Sequence, residues 1–230
     1  MSIKIENANV YGWEAAIRGM RNPMNSWDKS DSYYGMVEDP SPINPNDWAY
    51  IILGENDLKL MKSLAKAGSD HAKFLRMINV TVDITAPLYW LKEFDTYKVG
   101  TVANSCSTMH KIHEKEFTLD DFSHEHLDQF SMEVLKDVIS ALNIARDDYL
   151  ENNQSRYEMM KVDRKYDWWQ MIQLLPSSYN QKRTVQLNYQ VLKSMYFARK
   201  DHKLDEWRYF CEWMKTLPYF KEICIGEQGA

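Results

Sequence analysis

Between Ile78 and Thr85 the apolar residues Ile78, Val80, Val82 and Ile84 alternate strictly with Asn79, Thr81, Asp83 and Thr85. That period of two marks a strand with one face buried, and it constrains the fold more than any other stretch of the chain. Thr85 is placed to cap a following helix, with Pro87 near its first turn, where the missing N–H costs nothing. Leu88, Leu91, Phe94 and Trp90 give that helix an apolar stripe, and Lys98 lies at its end. The polar run Thr101-Val-Ala-Asn104-Ser105-Cys106-Ser107-Thr108 then offers hydroxyls, an amide and exposed backbone, a composition suited to a phosphate or a heterocycle. An ordinary helix-to-loop exit has the same composition.

Helices are expected over most of the remainder. Ser2 to Val10 reads as an opening strand, and Trp13 to Met20 as a helix with Trp13, Ile17 and Met20 on one side. Asn22 to Asn46 gathers Pro, Asn, Asp and Ser into a long irregular connection. Asn56 is the expected N-cap of a helix through Leu58, Met61, Leu64 and Ala65 that stops before Gly68, with His71 in the next turn. A long amphipathic helix is expected from Ser123 through Leu127, Phe130, Val134, Leu135, Val138, Leu142 and Ala145 to Asn152. Another runs from Tyr166 to Leu175 before Pro176, a third from Gln181 to Arg199 and a last one from Leu204 to Met214, ended by Pro218. The class is α+β, helix-rich, with a small sheet toward the N-terminal half.

A chain of 230 residues with 44% hydrophobic and 13% aromatic content can bury a substantial core. Its net charge of −5, with no long Lys/Arg block, argues against a general nucleic-acid or membrane-surface binder. No apolar run approaches bilayer length and no basic–apolar leader opens the sequence, so a cytoplasmic protein is expected. Cys106, Cys211 and Cys224 lack metal-type or redox-type spacing and are expected to stay reduced.

Several constellations invite chemistry. His110-Lys-Ile-His113 and His124-Glu-His126 each look like half a zinc site, but neither has i,i+4 spacing or a cysteine pair, so exposed histidines and no metal are expected. Ser105, Cys106 and Ser107 could suggest a nucleophile, but one sequence fixes no base within hydrogen-bond reach of them, and ligand hydrogen bonding is the role expected before covalent catalysis. Asp163 to Asp167 reads as a charged helix start over a buried Trp168–Trp169 pair. There is no glycine-rich phosphate loop. Asn188 and Arg199 are separated by three helical turns, which puts an amide and a guanidinium on nearly one face of the expected helix. The guanidinium can grip a phosphate or polarise a carbonyl, or close its own helix C-terminus.

Together these blocks resemble the flavin-dependent thymidylate synthase family, the ThyX type. His71, the strand, Ala86-Pro87 and the helix after it follow the family's order. The family's Arg-His-Arg signature aligns with Thr96-Tyr97-Lys98. Its next Ser, Asn-Glu pair, Ser and Arg align with Thr101, Asn104-Ser105, Ser107 and Met109, if one residue is added before Asn104. Leu175-Pro176, Asn188 and Arg199 keep the separations of the family's Leu-Pro, flavin-contacting Asn and uridylate-contacting Arg.

The resemblance implies a single domain over residues 1–230, with a small, mostly antiparallel sheet, long helices and a helical excursion at about residues 118–165. It implies a homotetramer that reductively methylates dUMP to dTMP, with FAD as cofactor and methylenetetrahydrofolate and NADPH as co-substrates. On it, His71, Lys98 and Asn188 hold FAD, Asn104, Ser105, Ser107 and Arg199 hold the nucleotide, and Arg199 stabilises charge developing on the uracil carbonyl. Thr96, Tyr97, Ser105 and Met109 depart from the signature, and Lys98 replaces a guanidinium fork with a point charge. These departures motivate the alternative of a catalytically degenerate nucleotide-binding or assembly protein.

Overall fold

In the computed structural model, which describes residues 3–36 and 49–226, the alternating stretch is strand β4 (Asn79–Pro87). Val80, Val82, Ile84 and Ala86 are at most 1% exposed, whereas the intervening Asn79, Thr81, Asp83 and Thr85 are half-buried. Strand character persists through Ala86 because the residue before a proline is pushed to extended backbone. Pro87 is therefore the N-cap of α3 (Leu88–Phe94), and Thr85 does not cap it.

The remaining elements are β1 (Lys4–Tyr11), α1 (Trp13–Arg21), β2 (Tyr33–Met36), β3 (Ala49–Ile52), α2 (Glu55–Lys66), β5 (Val102–Ser105) and α4 (Thr108–Lys111). They continue with α5 (Gln129–Glu151), α6 (Gln154–Met160), α7 (Lys165–Leu174), β6 (Asn180–Asn188), α8 (Tyr189–Arg199) and α9 (Asp205–Met214). The main sheet is small and antiparallel, in the order β1-β4-β6-β5, and β2 pairs with β3 in a second, two-stranded sheet. The fold is α+β, as expected. No helix among the described residues is long and apolar enough to cross a membrane.

Packing divides the chain into two compact units. One comprises residues 1–4, 84–95 and 104–183. Its helical part packs α5 against α7 over a core that includes Phe117, Phe122, Leu135, Leu142 and Met171. Asp167 is 1% exposed and receives the Arg156 guanidinium through both oxygens, together with the Tyr157 hydroxyl at 2.7 Å. Helix α5 begins six residues later than Ser123, because Asp128 accepts the Ser131 N–H and caps it, and it ends on left-handed Asn152. The apolar stripe is buried only from Leu135 onward, and Leu127, Phe130 and Val134 stay exposed. Trp169 is likewise 40% exposed, so the tryptophan pair meets edge to face without being buried.

The second unit comprises residues 5–83, 96–103 and 184–230. The connection after α1 contains strand β2, built from β-prone Tyr33 and Tyr34; its residues 37–46 lie outside the described residues. Gly54, not Asn56, is the N-cap of α2. The capping acceptor comes from 25 residues away, where the Asp31 carboxylate takes the Asn56 and Asp57 N–H groups. Asp57 itself is fully buried and accepts from Arg21 Nε, both serine hydroxyls of Ser30 and Ser32, and the Asp31 and Ser32 amides. One carboxylate thus ties α1, the loop after it and α2 together.

Burial disfavours the Asp57 charge, but the hydroxyls of Ser32 and Ser30 and the Arg21 guanidinium outweigh it and hold the carboxyl below its ordinary value. A lowered folded pKa stabilises the fold above the unfolded value, about 4, and that stabilisation is lost as pH falls through the folded value. Asp57→Asn is expected to destabilise the protein by about 3 to 5 kcal/mol in urea denaturation at neutral pH, since it strands the buried Arg21 guanidinium. The gap between variant and wild type should narrow below about pH 4.

Candidate functional site

Residues 181 to 188 do not belong to the helix that contains Arg199. Val185 and Leu187 are buried while Thr184 and Gln186 are exposed, a strand alternation that sets β6 apart from α8. Helix α8 starts only at Tyr189, and Asn188 is its N-cap, accepting the Val191 N–H on Oδ1 at 3.1 Å. Asn188 and Arg199 therefore mark the two ends of one 11-residue helix.

Within the second unit, the segment 96–103 lies against both ends. Arg199 Nε donates to the Tyr97 hydroxyl at 2.9 Å. The guanidinium also stands 4.9 Å from the centre of the Trp207 ring and 5.7 Å from that of Tyr97. Trp207, from α9, is fully buried and meets Tyr97 edge-on at 5.9 Å. Two aromatic rings and a hydroxyl thus fix the plane of a half-buried guanidinium, each ring contact contributing about 0.5 to 2 kcal/mol. At the other end, Gly100 has φ +81°, and a Cβ there would lie 3.1 Å from both Asn188 Nδ2 and Val191 Cγ2. Only glycine combines that backbone with that approach. The next residue, Thr101, holds a buried hydroxyl without a hydrogen-bond partner among the described residues.

Of the residues singled out in the sequence, the structure brings Asn188 and Arg199 to one segment, with Lys98 exposed on it. His71 is exposed at the start of a short 3-10 turn, and no hydrogen bond, ion pair or ring contact among the described residues joins it to that group. In the first unit, Asn104 and Ser105 are exposed on β5, a strand where a polar loop is expected from composition. Cys106 is exposed and its backbone pairs with Lys182 and the Gln181 side chain. The Ser107 hydroxyl caps α4 by accepting the His110 N–H at 3.1 Å. His113 packs on Tyr149 at 4.8 Å and His124 Nδ1 lies 2.8 Å from the Phe122 carbonyl. Among the described residues no three metal-ligating side chains converge.

Tyr97, Trp207, Gly100 and Thr101 are not among the site residues expected from sequence. Gly100, between a helix end and the polar run, was the one legible signal of a close backbone approach. The arrangement offers an oriented cation, a backbone surface free of side chain and an orphaned hydroxyl, which suits an anionic or carbonyl-bearing ligand.

The fold is similar to that of a crystal structure of thymidylate synthase X (ThyX) from Helicobacter pylori with FAD and dUMP, with a TM-score of 0.62 and 15% identity. The match covers 96% of this chain and 97% of that one. A second crystal structure of flavin-dependent thymidylate synthase ThyX from the same organism, complexed with FAD and dUMP, matches with a TM-score of 0.60 and 15% identity over 97% and 98% of the two chains. No protein-family model and no curated protein sequence matches the chain. The chain has a ThyX-like fold over nearly its whole length.

Tyr97→Phe keeps the ring and removes the hydroxyl that orients Arg199. It is expected to cost about 1 kcal/mol of stability in urea denaturation, the worth of one partly exposed hydrogen bond. Trp207→Phe should cost more, because it also opens a cavity in the core.

Proposed function

We propose that this chain is a ThyX-type protein that binds FAD and a deoxyuridine nucleotide and methylates dUMP reductively to dTMP, with methylenetetrahydrofolate and NADPH as co-substrates. The observation that carries the reading is the near full-length likeness to two structures holding FAD and dUMP, with Arg199 presented between Tyr97 and Trp207 at the end of α8. A cytoplasmic homotetramer belongs to the same proposal.

The residues present fit a nucleotide cofactor. The orphaned Thr101 hydroxyl and the exposed Lys98 ammonium are hydrogen-bonding groups of the kind that flavin oxygens and phosphates require. In this reading His71, Lys98 and Asn188 hold FAD, which when bound supplies the hydride chemistry. Asn188 caps α8 through Oδ1 only, so its amide nitrogen keeps its donors for a ligand. Ser107 accepts one hydrogen bond in capping α4 and still carries an O–H to donate, which with Asn104 and Ser105 serves the nucleotide. Arg199, its plane fixed through Nε, stabilises negative charge developing on the uracil ring, a preorganised role with no reorientation at the moment of reaction. No protein nucleophile enters this scheme.

The substitutions at Thr96, Tyr97, Ser105 and Met109 favour a second reading, in which the protein binds a nucleotide without turnover. The test is the visible spectrum of the protein titrated with FAD and then dUMP, followed by tritium release from C5-labelled dUMP. The enzyme reading predicts a bound-flavin spectrum perturbed by dUMP and folate-dependent release, which Arg199→Ala lowers by about two to three powers of ten while flavin stays bound. A dUMP-perturbed flavin without release would establish the second reading, and absence of flavin under every condition would overturn the first.

A further inference from the structure

Away from the Arg199 group, a cavity of about 850 Å³ opens between α2, α8 and a single π-helical turn at Lys221–Ile225, all within the second unit. Its size falls within the range of small-molecule sites. Among the described residues Lys62, Lys66, Lys193 and Lys221 line it, against one acid, Glu222, in a chain whose net charge is −5. Lys193 has an ordinary structural reason to be there, since its Nζ donates at 3.0 Å to the carbonyl of Ala65 near the C-terminus of α2. Lys66 lies in the last turn of α2, where a cation is favoured, but none of Lys62, Lys66 and Lys221 is held by a carboxylate among the described residues. Lys62 and Lys66 are one turn apart on α2, a like-charge pair that weakens a helix. Lysines that line a concave wall raise the positive potential there. The wall is apolar where Ile223 and Cys224 close it, and the Phe197 ring stands 52% exposed at its side. Four lysines lining one cavity with an exposed aromatic ring beside them call for a ligand with several negative charges and a flat body.

We infer that the cavity between α2, α8 and the Lys221–Ile225 turn is a binding site for an organic di- or polyphosphate, whose phosphates meet the four lysines and whose flat body packs on Phe197. None of the residues proposed for FAD and dUMP is among those that line it, and it does not depend on them. Lysine suits this role as a mobile point charge that follows a phosphate chain without demanding fork geometry.

The test is titration calorimetry of the full chain with ADP and with inorganic pyrophosphate at low and high ionic strength. Saturable binding that weakens with salt is expected for both, tighter for ADP. Lys62→Gln combined with Lys66→Gln, two exposed positions, should raise both dissociation constants at least tenfold with the far-UV spectrum unchanged. Glu222→Gln should tighten both, Phe197→Ser should weaken ADP alone, and Arg199→Ala should leave ADP binding to this cavity intact. No saturable binding of either probe, or binding indifferent to the lysine pair, overturns the site. Equal affinity for the two probes with no effect of Phe197→Ser overturns the role of the flat body.

Discussion

The buried face of β4 is the constraint on which the rest of the architecture rests. Val80, Val82 and Ile84 are shut from water, each worth about 1.5 to 3 kcal/mol, and a slip of one residue would turn all of them outward. Register is therefore fixed on the apolar side and read on the polar one. Asp83, between Val82 and Ile84, accepts from Asn7 Nδ2 at 3.0 Å and from the Thr184 hydroxyl at 2.7 Å, joining β4 to both of its neighbours in the sheet.

The chain beyond β4 inherits that order. Pro87 stops the strand and starts α3, and the backbone then leaves the helix for the segment that carries Tyr97, Lys98 and Gly100. That segment lies against α8 and α9. Its tyrosine meets Arg199 and Trp207, and its glycine meets Asn188. The Tyr97 phenol accepts from Arg199 and so restrains the guanidinium.

Much of this was legible. The period of two gave β4 and the period of 3.6 gave α1 and α9, because in each case the core-facing side chains repeat within one element, while Pro176 marked the end of α7. The spacing of Asn188 and Arg199 was legible too, but the element between them was half misread. Val185 and Leu187 alternate over too few residues to outweigh the helix-forming residues after them, so β6 looked like the first turns of α8. The strand β5, all exposed and only four residues long, has no buried periodicity to betray it. The cap of α2 was misassigned for a different reason: its acceptor, Asp31, is remote in sequence, and local pattern cannot see a cap supplied from elsewhere.

The sequence by itself determined the α+β class, the buried strand and the choice of Asn188 and Arg199 as candidate residues, since these follow from periodicity and residue chemistry. Only the tertiary structure decided that Tyr97 and Trp207 orient Arg199, that Gly100 lies against Asn188, and that four lysines from three elements face one cavity. Lys62 and Lys221, which line one cavity, are 159 positions apart, and such proximity arises when helices and strands pack, not from the order of residues along them.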